Sequence, residues 1–378
     1  MSRKIVFINQ ATGYLTIDVI NEFAKEFDVV ALITGSIRIQ ETSLNHKVEI
    51  SRIIRYDRGN TFMKAFSWII GTIQIFFLLK FRYRNFERFF YTIPPTGYLL
   101  ALSIKTTFSI LVFDLYPEAL KVNGFSEKGV LYRWWSERNR MILPKAHIVY
   151  TLSENMKSQV LAYSSDIDVH VIPNWTAFSG LIPIEKEENR IIKSEGLDGK
   201  FIVQYSGNIG VTHNVETLIK VAEMLREDTG IEFLIIGRGK RSHAIGDLII
   251  RLGLTNCRLL PFRKDEELFE SLCAADLAVI ILDDKIPDIS VPSKTYNILA
   301  AGVPVMAIAS SDSEISKIIS SHQIGKSFEK ENVKGMCEFV KELKNNEPLW
   351  KRMHANSFKA SENYTNANAA KYLELYHN

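Results

Sequence analysis

The chain has 378 residues, of which 46% are hydrophobic and 24% are charged, and its formal net charge is +3. This is the composition of a globular protein, and the length is sufficient for two domains of the usual size. So small a net charge argues against a dedicated nucleic-acid binder. The three cysteines, Cys257, Cys273 and Cys337, lack the spacing of metal ligands and form an odd set. They indicate neither a zinc site nor a disulfide scaffold, and a cytoplasmic protein is expected.

The first half of the chain alternates short β-branched runs with longer segments of helical period. This pattern is typical of parallel strands joined by crossover helices and predicts an α/β fold. The first run follows Arg3 and Lys4 but is far shorter than the core of a signal peptide, so we interpret it as a strand. The strands predicted in this half are Lys4–Ile8, Val29–Ile33, Phe89–Thr92, Phe108–Phe113, His147–Leu152 and Val169–Ile172.

A second series begins after the charged segment 185–190, where Asp198 and Gly199 indicate a turn. Its strands are predicted at Phe201–Tyr205, Glu232–Ile236, Cys257–Leu260, Leu277–Ile281 and Val305–Ile308, with helices at Val215–Arg226 and Asp265–Ala274. We expect two Rossmann-like, doubly wound domains over residues 1–178 and 179–360, followed by a helical segment over 361–378. The two domains would face each other across a cleft at the carboxyl ends of their strands, where open α/β sheets bind ligands.

The segment 290–304 is the strongest candidate for a binding site. A short polar loop with Pro292 opens a helix there, and Gly302 ends the helix. Backbone N–H groups at its first turn, the Ser293 hydroxyl and the Lys294 ammonium could together hold a diphosphate without a metal ion. The alternative is that Ser293 only caps a packed helix.

Five short segments fall at predicted strand ends or helix starts. They are Asp114-Leu115-Tyr116-Pro117-Glu118, Val171-Ile172-Pro173-Asn174-Trp175, Tyr205-Ser206-Gly207-Asn208-Ile209-Gly210, Ile236-Gly237-Arg238-Gly239-Lys240 and the block from Pro292 to Gly302. In their order and spacing the sequence resembles the retaining GT-B glycosyltransferases of family 4, particularly the branch that assembles bacterial surface polysaccharides and includes amino-fucosyl transferases. The resemblance implies that the first domain binds the acceptor, that the second binds the donor, and that the last helix crosses back to the first domain.

The resemblance also implies a set of donor contacts on the second domain. Gly207 and Asn208 end its first strand, where a missing side chain lets the backbone approach the sugar phosphates. The loop from Gly237 to Lys240 has the wrong spacing for a dinucleotide fingerprint, which disfavours a dehydrogenase. A plain turn at Gly207 and a solvated loop at Lys240 are the alternatives. The expected donor-binding residues are Gly207, Asn208, Gly237, Arg238, Lys240, Phe262, Arg263, Ser290, Val291, Pro292, Ser293 and Asn297.

One departure from the family pattern concerns two glutamates, eight positions apart, that usually contact the sugar and the ribose. The corresponding positions hold Ile289 and Asn297. The amide of Asn297 can still hydrogen-bond a ribose hydroxyl, whereas Ile289 offers no polar group. The sugar contacts must then come from backbone or other groups, and the identity of the sugar stays open.

On the first domain, Asp114 and Glu118 follow an apolar strand and place two carboxylates at the expected cleft edge. Either could act as a base toward the acceptor hydroxyl, and a helix cap formed by Asp114 is the alternative. The resemblance implies that the leaving diphosphate itself helps to deprotonate the acceptor, with Lys294 stabilising its charge, so we expect no protein nucleophile. The expected acceptor contacts are Gln10, Gly13 and Tyr14, unless their loop is a plain turn.

Residues 62–91 combine many aromatic side chains with lysines and arginines. The apolar stretch Ala65–Leu79 is shorter than the roughly 20 residues of a spanning helix, so we expect it to lie on a membrane surface. Basic residues there would attract anionic headgroups. A core helix followed by a basic turn is the alternative. The expected membrane-surface residues are Trp68, Phe76, Phe77, Arg82, Arg84 and Arg88.

We therefore expect a metal-independent, retaining glycosyltransferase of the hexosyltransferase type, without a cofactor and without a nucleic-acid partner. Its donor would be a nucleotide-sugar, a UDP-sugar in preference to a GDP-sugar, with N-acetylated and deoxy sugars among the candidates. Its acceptor would be a lipid-linked saccharide of capsular, O-antigen or exopolysaccharide synthesis, at the inner face of the cytoplasmic membrane. Two alternatives stay open: a non-catalytic nucleotide-sugar-binding partner of a true transferase, and a sugar-nucleotide epimerase.

Overall fold

The computed structural model describes residues 2–39, 42–57, 59, 61–103, 105–210, 213–282 and 292–377. The chain divides into two compact units. Unit 1 comprises Met1–Ala177 together with Asn366–Asn378, and unit 2 comprises Phe178–Thr365.

The strands are short and mostly apolar. They are β1 (Lys4–Ile8), β2 (Ala11–Thr12), β3 (Val29–Thr34), β4 (Ser36–Ile37), β5 (Glu49–Arg52), β6 (Glu87–Tyr91), β7 (Phe108–Leu111), β8 (Val149–Thr151), β9 (Val169–Val171), β10 (Phe201–Asn208), β11 (Ile231–Arg238), β12 (Cys257–Leu260), β13 (Leu277–Ile281), β14 (Val305–Ile308) and β15 (Gly325–Phe328).

The helices alternate with these strands along most of the chain. They are α1 (Tyr14–Phe23), α2 (Thr61–Phe77), α3 (Val130–Ile142), α4 (Glu154–Leu161), α5 (Arg190–Glu195), α6 (Val215–Met224), α7 (Ser242–Arg251), α8 (Asp265–Cys273), α9 (Lys294–Ala300), α10 (Glu314–His322), α11 (Val333–Asn345), α12 (Glu347–Ser361) and α13 (Asn368–Tyr376). A π-helical turn, Leu78–Arg82, continues α2.

Unit 1 contains a seven-stranded sheet in the order β5-β3-β1-β6-β7-β8-β9, and every neighbouring pair is parallel. Its two faces are both covered, so alternate residues of β1 enter different clusters. Val6 and Ile8 lie in one core, while the Phe7 ring packs on the other face, 5.0 Å from the ring of Phe89. Burial on both faces explains why the central strands are continuously apolar in sequence.

Unit 2 contains a six-stranded, all-parallel sheet in the order β12-β11-β10-β13-β14-β15. Here too the side chains alternate between two cores. Val203 and Tyr205 pack in the larger cluster, whereas Ile202 and Leu234 pack in the smaller one on the opposite face. The predicted α/β class and parallel sheets are confirmed, and each predicted strand is present.

The last helix, α13, belongs to unit 1 and packs against α1. The Tyr372 ring lies 4.9 Å from the ring of Tyr150, whose hydroxyl donates to the Tyr372 carbonyl at 2.9 Å. The Tyr376 hydroxyl donates to Glu87 at 2.6 Å. Aromatic burial together with these hydrogen bonds holds the chain end on the first sheet.

Helix α2 is fixed to unit 1 through one face. The Gln10 amide donates to the carbonyl of Ser67 at 2.9 Å and to that of Ile54 at 3.1 Å. The backbone N–H of Ile54 in turn donates to the Gln74 side chain at 2.8 Å. These bonds join the helix to the loops that follow β1 and β5.

Candidate functional site

The carboxyl ends of β10 and β11 lie side by side, and each strand has a glycine there. Gly207 pairs with Gly237, and Asn208 pairs with Arg238. A Cβ atom on Gly237 would stand 2.0 Å from the Gly207 carbonyl oxygen, so only glycine permits this approach. Gly237 is buried by this packing, so of the two glycines Gly207, which is half-buried, is the one that offers backbone to a ligand.

Lys294, at the start of α9, reaches the same strand end. A Cβ atom on Gly207 would lie 3.1 Å from Lys294 Nζ, and the ammonium lies 4.3 Å from the centroid of the Tyr205 ring. Burial lowers the pKa of the Lys294 ammonium to about 8. Among the described residues no carboxylate forms an ion pair with it. A cation held in this way favours an anionic ligand.

Arg238 is exposed at the end of β11, and its guanidinium carbon lies 5.3 Å from the centroid of the Phe262 ring. Phe262 follows β12 and is 41% exposed. Lys240 is exposed in the same loop as Arg238. The structure thus places a cation and an accessible aromatic ring next to each other at the strand ends of unit 2.

Arg263 is engaged elsewhere in unit 2. Its guanidinium pairs with Glu195 at 2.5 Å, and its side chain is largely buried. The expectation that Arg263 binds the donor is therefore not supported, because its charge is already neutralised within the fold. The sequence does not reveal this pair, since its partners are 68 positions apart.

The start of α9 differs from the expected anion site in one respect. Ser293 adopts a helical conformation, and its side chain forms no capping hydrogen bond. The alternative role as a helix cap is therefore wrong. The helix has only seven residues, so its dipole is a small contribution and Lys294 supplies the charge. Asn297 lies one turn further along, and Ile289, Ser290 and Val291 lie outside the described residues.

Asp114 follows β7 in unit 1, where its backbone N–H donates to the Thr92 hydroxyl at 3.2 Å. Its side chain is half-buried. Burial raises the pKa of the Asp114 carboxyl, and the charge of Lys64 partly offsets this. Asn139 fixes the loop that follows, because its amide donates to the Tyr116 carbonyl at 2.6 Å. A positioned carboxyl with a raised pKa has the properties of a general base.

Glu118 has a different environment, although it is only four residues away. The hydroxyl of Tyr163 donates to its Oε1, as does that of Tyr132 at 3.4 Å. Its Oε2 is buried without a hydrogen-bond partner among the described residues. Burial raises the pKa of the Glu118 carboxyl. This carboxyl is a buried acceptor within unit 1, which does not support the expected direct role in catalysis.

The expected acceptor contacts Gln10 and Tyr14 are occupied within unit 1. The Gln10 side chain is fully buried and holds α2. The Tyr14 hydroxyl donates to the Trp175 carbonyl at 2.8 Å, and burial raises the pKa of Tyr14. Both side chains therefore connect segments of the fold, while Gln10 Oε1 is buried without a hydrogen-bond partner among the described residues. Gly13 precedes α1, and a Cβ there would meet no atom within 4 Å.

The residues expected at a membrane surface divide into two groups. Phe77, Arg82 and Arg84 are exposed, and Phe76 is half-buried. Arg88 is only 2% exposed and lies within β6, so its assignment to a surface is wrong. Side chains in a strand alternate between the two faces of the sheet. The position of Arg88 within β6, and not its nearness in sequence to other arginines, therefore determines where its side chain points.

Trp68 also points inward. Its ring lies 6.3 Å from that of Tyr56 and 5.8 Å from that of Tyr116. The Lys64 ammonium lies 5.0 Å from the same ring. Trp68 therefore packs close to the segment that carries Asp114 and does not fit the expected contact with lipid.

Sequence reasoning did not identify Tyr205 as part of the donor region. Tyr205 and Gly207 are two positions apart in β10 and therefore face the same side of the sheet. This alternation was the available signal. The Tyr205 hydroxyl donates to the Asn208 carbonyl at 2.7 Å, which fixes the strand end under Lys294. Within the described part of the chain, no three His, Cys, Asp or Glu side chains are grouped to hold a metal ion.

The two doubly wound, all-parallel units define the GT-B architecture, which confirms the predicted fold class. Residues 187–360, nearly all of unit 2, match the family model of the glycosyl transferases group 1. This match contains the strand ends of β10 and β11, together with Lys294.

Two curated relatives share sequence with the chain. WbjE of Pseudomonas aeruginosa, named as a glycosyltransferase, is 26% identical over 234 residues, which cover 60% of this chain and 57% of WbjE. WcaI of Escherichia coli K12, named for colanic acid biosynthesis, is 26% identical over 173 residues, which cover 45% of this chain and 42% of WcaI. The alignments thus span about half the length of these relatives.

Solved structures share the fold over almost the whole chain. WaaG, a glycosyltransferase involved in lipopolysaccharide biosynthesis, superposes with a TM-score of 0.70 at 15% identity and covers 97% of this chain and 99% of its own. HepE of Anabaena, solved with UDP and glucose, superposes with a TM-score of 0.71 at 12% identity and covers 98% of each chain. At such identities the likeness concerns the fold alone.

Proposed function

We propose that this chain is a glycosyltransferase of polysaccharide or lipopolysaccharide synthesis that holds the diphosphate of a nucleotide-sugar at the strand ends of unit 2. One observation carries the proposal. The Lys294 ammonium lies beside Gly207, where β10 and β11 each have a glycine, in the segment that matches the family model.

An anion is the ligand that this arrangement favours. The ammonium of Lys294 has no carboxylate partner among the described residues and loses hydration on burial, which is why its pKa falls to about 8. A diphosphate would restore the charge balance, and the absence of a side chain at Gly207 would let its oxygens come close to the backbone. Arg238, exposed at the same edge, adds a second cation.

We further propose that the nucleotide is UDP. The exposed Phe262 ring beside Arg238 offers a flat surface for a base. Among the proteins of similar fold, HepE was solved with UDP and glucose. A UDP-sugar donor fits the resemblance to family 4. We propose an N-acetylated or deoxy hexose as the sugar. Asn297 would donate to or accept from a ribose hydroxyl.

The proposed reaction transfers the sugar with retention. The bond from the sugar C1 to the diphosphate oxygen breaks, and a bond from C1 to the acceptor oxygen forms on the same face. The acceptor proton passes to the leaving diphosphate, whose charge Lys294 and the backbone N–H groups stabilise. Asp114 acts as the general base that removes this proton from the acceptor hydroxyl before the diphosphate takes it up. No metal ion and no cofactor takes part in this scheme.

We propose a lipid-linked saccharide as the acceptor and the inner face of the cytoplasmic membrane as the location. WcaI and WaaG are named for colanic acid and lipopolysaccharide biosynthesis respectively. Surface glycans are commonly assembled on carriers that stay in the membrane, so such an enzyme works at a lipid surface. The chain's own residues support this location through the exposed face of α2.

A second candidate is a non-catalytic partner that binds a nucleotide-sugar without transferring it. Asn297 favours it, because an amide replaces a carboxylate that the family usually has. An epimerase is less consistent with the structure, since it needs paired acid and base groups around the sugar. Glu118 is buried against Tyr163 and cannot pair with Asp114 at an open site.

The test is a transfer assay with purified full chain, UDP-sugars and lipid-linked saccharides extracted from membranes, in the presence of EDTA. The proposal predicts a sugar-elongated lipid product with an α or β anomeric signal that matches the donor in the NMR spectrum. Binding of the donor without any product would favour the non-catalytic partner. Absence of both binding and product from a folded protein would contradict the proposal.

A further inference from the structure

The helix formed by α2 and the π turn exposes a continuous apolar face. Six large apolar side chains follow one another along it at spacings of three or four residues, and each is between 43% and 76% exposed. We call these residues the apolar stripe: Phe62, Phe66, Ile69, Ile73, Phe77 and Phe81. Exposed apolar patches of this kind mark a surface that binds a partner or a membrane.

The opposite face of the same helix is already packed. Ser67, Gly71, Ile75 and Leu79 are buried, and the last two lie in the core of unit 1. The Thr72 hydroxyl also hydrogen-bonds that of Thr96 at 2.5 Å. The stripe is therefore not the core face of this helix but its outer face, which normally carries polar residues.

The π turn keeps the stripe straight at its end. In an α-helix a residue four positions further on is rotated by about 40° around the axis. A π turn contains more residues per revolution, so Phe81 is not carried forward around the axis relative to Phe77 as it would be in an α-helix. Their rings are stacked, with centroids 6.2 Å apart and planes 6° from parallel. The local geometry thus preserves one flat apolar surface.

Positive charge accompanies the stripe. Residues 61–84 contain no Asp or Glu but include Lys64, Lys80, Arg82 and Arg84. The last three are exposed where the stripe ends. Arg82 lies 3.3 Å from Glu49, but both side chains are about half exposed, and such surface pairs contribute little. The surface is therefore apolar and basic together, which complements an anionic lipid bilayer.

We propose that the apolar stripe inserts into one leaflet of an anionic bilayer, with α2 parallel to the membrane plane and Lys80, Arg82 and Arg84 among the headgroups. This inference rests on the proposed function, which places the enzyme at a membrane, and it adds the surface that makes the contact. Its contacts include no residue of the donor region. Membrane binding and nucleotide binding can therefore fail independently of each other.

Length alone would allow this helix to cross a membrane. Phe62–Arg82 has 21 residues and contains an 18-residue window with a mean hydropathy of 1.7, and it is the one such helix among the described residues. A spanning helix, however, contacts lipid or other helices on every side. The packing of Ile75 and Leu79, together with the Gln10 bonds, holds one side on the sheet. An in-plane helix keeps these contacts.

Vesicle flotation of the full chain without nucleotide tests the surface. We expect at least about tenfold stronger partitioning onto phosphatidylcholine–phosphatidylglycerol vesicles than onto phosphatidylcholine alone. The double variant Ile69→Gln with Phe77→Gln should lose roughly tenfold or more in partitioning. The matched control is Met224→Gln with Ile250→Gln, which removes two exposed apolar side chains from helices of unit 2. The control should bind vesicles like the wild type.

The charge contribution has its own matched pair. Lys80→Gln, Arg82→Gln and Arg84→Gln together should abolish the preference for anionic vesicles and leave binding to neutral vesicles unchanged. Arg226→Gln, Lys334→Gln and Lys351→Gln remove the same charge from exposed positions of unit 2. An equal loss in both triple variants would mean that net charge, and not this surface, determines binding.

Depth measurement distinguishes an in-plane helix from a spanning one. The three native cysteines are buried, so single cysteines at Phe62, Ile69 and Phe77 can carry an environment-sensitive fluorophore. Lipids with quenchers at graded depths should report one shallow depth for all three positions. Depths that increase steadily along the helix would replace the proposal with a spanning helix.

Two further results would overturn the proposal. The first is a wild-type chain that binds neither kind of vesicle. The second is a wild-type dimer in buffer that Ile69→Gln with Phe77→Gln converts to a monomer. The second result would assign the stripe to another copy of the chain. Nucleotide titration of the same double variant should match the wild type, so a failure of the donor site would be recognised separately.

Discussion

The ammonium of Lys294 lies 4.3 Å from the centroid of the Tyr205 ring, directly at the end of β10. This contact joins the start of α9 to the strand that carries Gly207. Lys294 gains a partial electrostatic partner from the ring, but a neutral ring does not replace an anion. The charge of Lys294 and the backbone at Gly207 should therefore determine nucleotide binding.

Replacing Lys294 should weaken nucleotide binding without unfolding the protein. A charge-assisted hydrogen bond contributes about 1.5–3 kcal/mol, so Lys294→Ala should raise the Kd for the nucleotide roughly 10- to 150-fold. Lys220→Ala is the control, since Lys220 is exposed on α6. Calorimetric titration measures both. An unchanged Kd for Lys294→Ala would remove the diphosphate from this position.

Nucleotide affinity should depend on the charge of Lys294. Its pKa is lowered to about 8 in the free protein, so the ammonium is charged below that pH and becomes neutral above it. Affinity should be constant below pH 8 and fall as the pH rises further. A bound diphosphate raises the pKa of Lys294 again, so binding near pH 8 should take up protons. Titration in buffers of different ionisation enthalpy detects this uptake, which Lys294→Arg should abolish.

Alanine substitutions at the two strand-end glycines should affect different properties: Gly237→Ala should lower stability, and Gly207→Ala should weaken nucleotide binding. In Gly237→Ala the new Cβ would stand 2.0 Å from a backbone oxygen, and overpacking of this kind costs about 1–3 kcal/mol or more of unfolding free energy. In Gly207→Ala the nearest atom is the flexible end of Lys294 at 3.1 Å. We expect Gly207→Ala to keep its stability within about 0.5 kcal/mol but to bind nucleotide more weakly.

Urea unfolding and calorimetric titration of these two glycine variants separate the effects. If Gly207→Ala bound nucleotide like the wild type, the close approach of the ligand to this backbone would be refuted. Equal stability of the two variants would contradict the contact between the strand ends.

A substitution at Asp114 should lower catalytic activity, whereas a substitution at Glu118 should not. Loss of a general base lowers kcat by roughly 10²–10⁴-fold, which we expect for Asp114→Asn with an unchanged nucleotide Kd. A base must be ionised, so wild-type activity should rise as the pH passes the raised pKa of Asp114, and the variant should lack this limb. Glu118→Gln should instead keep kcat near the wild type without lowering stability at neutral pH, because burial disfavours the ionised carboxyl and the amide oxygen can still accept from Tyr163. A similar kcat for Asp114→Asn and the wild type would exclude the role.

The end of the chain should stabilise unit 1. Tyr372 is buried against Tyr150, and removal of a large buried ring costs about 3–5 kcal/mol, so Tyr372→Ala should lower the midpoint of unfolding strongly. Glu374→Ala, at an exposed position of the same helix, is the control. Near-equal midpoints for the two variants would show that α13 contributes little.

The sequence predicted the strands well because their positions are apolar on both faces. The edge strand β5 was missed, since only Ser51 among its four residues is buried and no apolar run marks it. The edge strand β15, Gly-Lys-Ser-Phe, likewise lacks a run of this kind. Edge strands are defined by backbone hydrogen bonds to a neighbour, and a short sequence window carries little information about such bonds.

For the candidate site, the sequence predicted positions better than side-chain roles. Gly207 and Lys294 meet as the strand-end argument predicts, because carboxyl ends of parallel strands lie at one edge. Gln10 and Tyr14 also follow a strand, yet their polar groups bind carbonyls 57 and 161 positions away. The sequence contains no local sign of such partners, so a polar residue after a strand predicts location more reliably than function.

The most direct test of the donor site is calorimetric titration of the purified full chain with UDP, GDP and their sugars in the presence of EDTA. Our account predicts metal-free binding of one nucleotide, UDP, with a Kd that Lys294→Ala raises and Lys220→Ala leaves unchanged. Failure of every nucleotide to bind the folded protein would contradict the account, as would equal binding by both lysine variants.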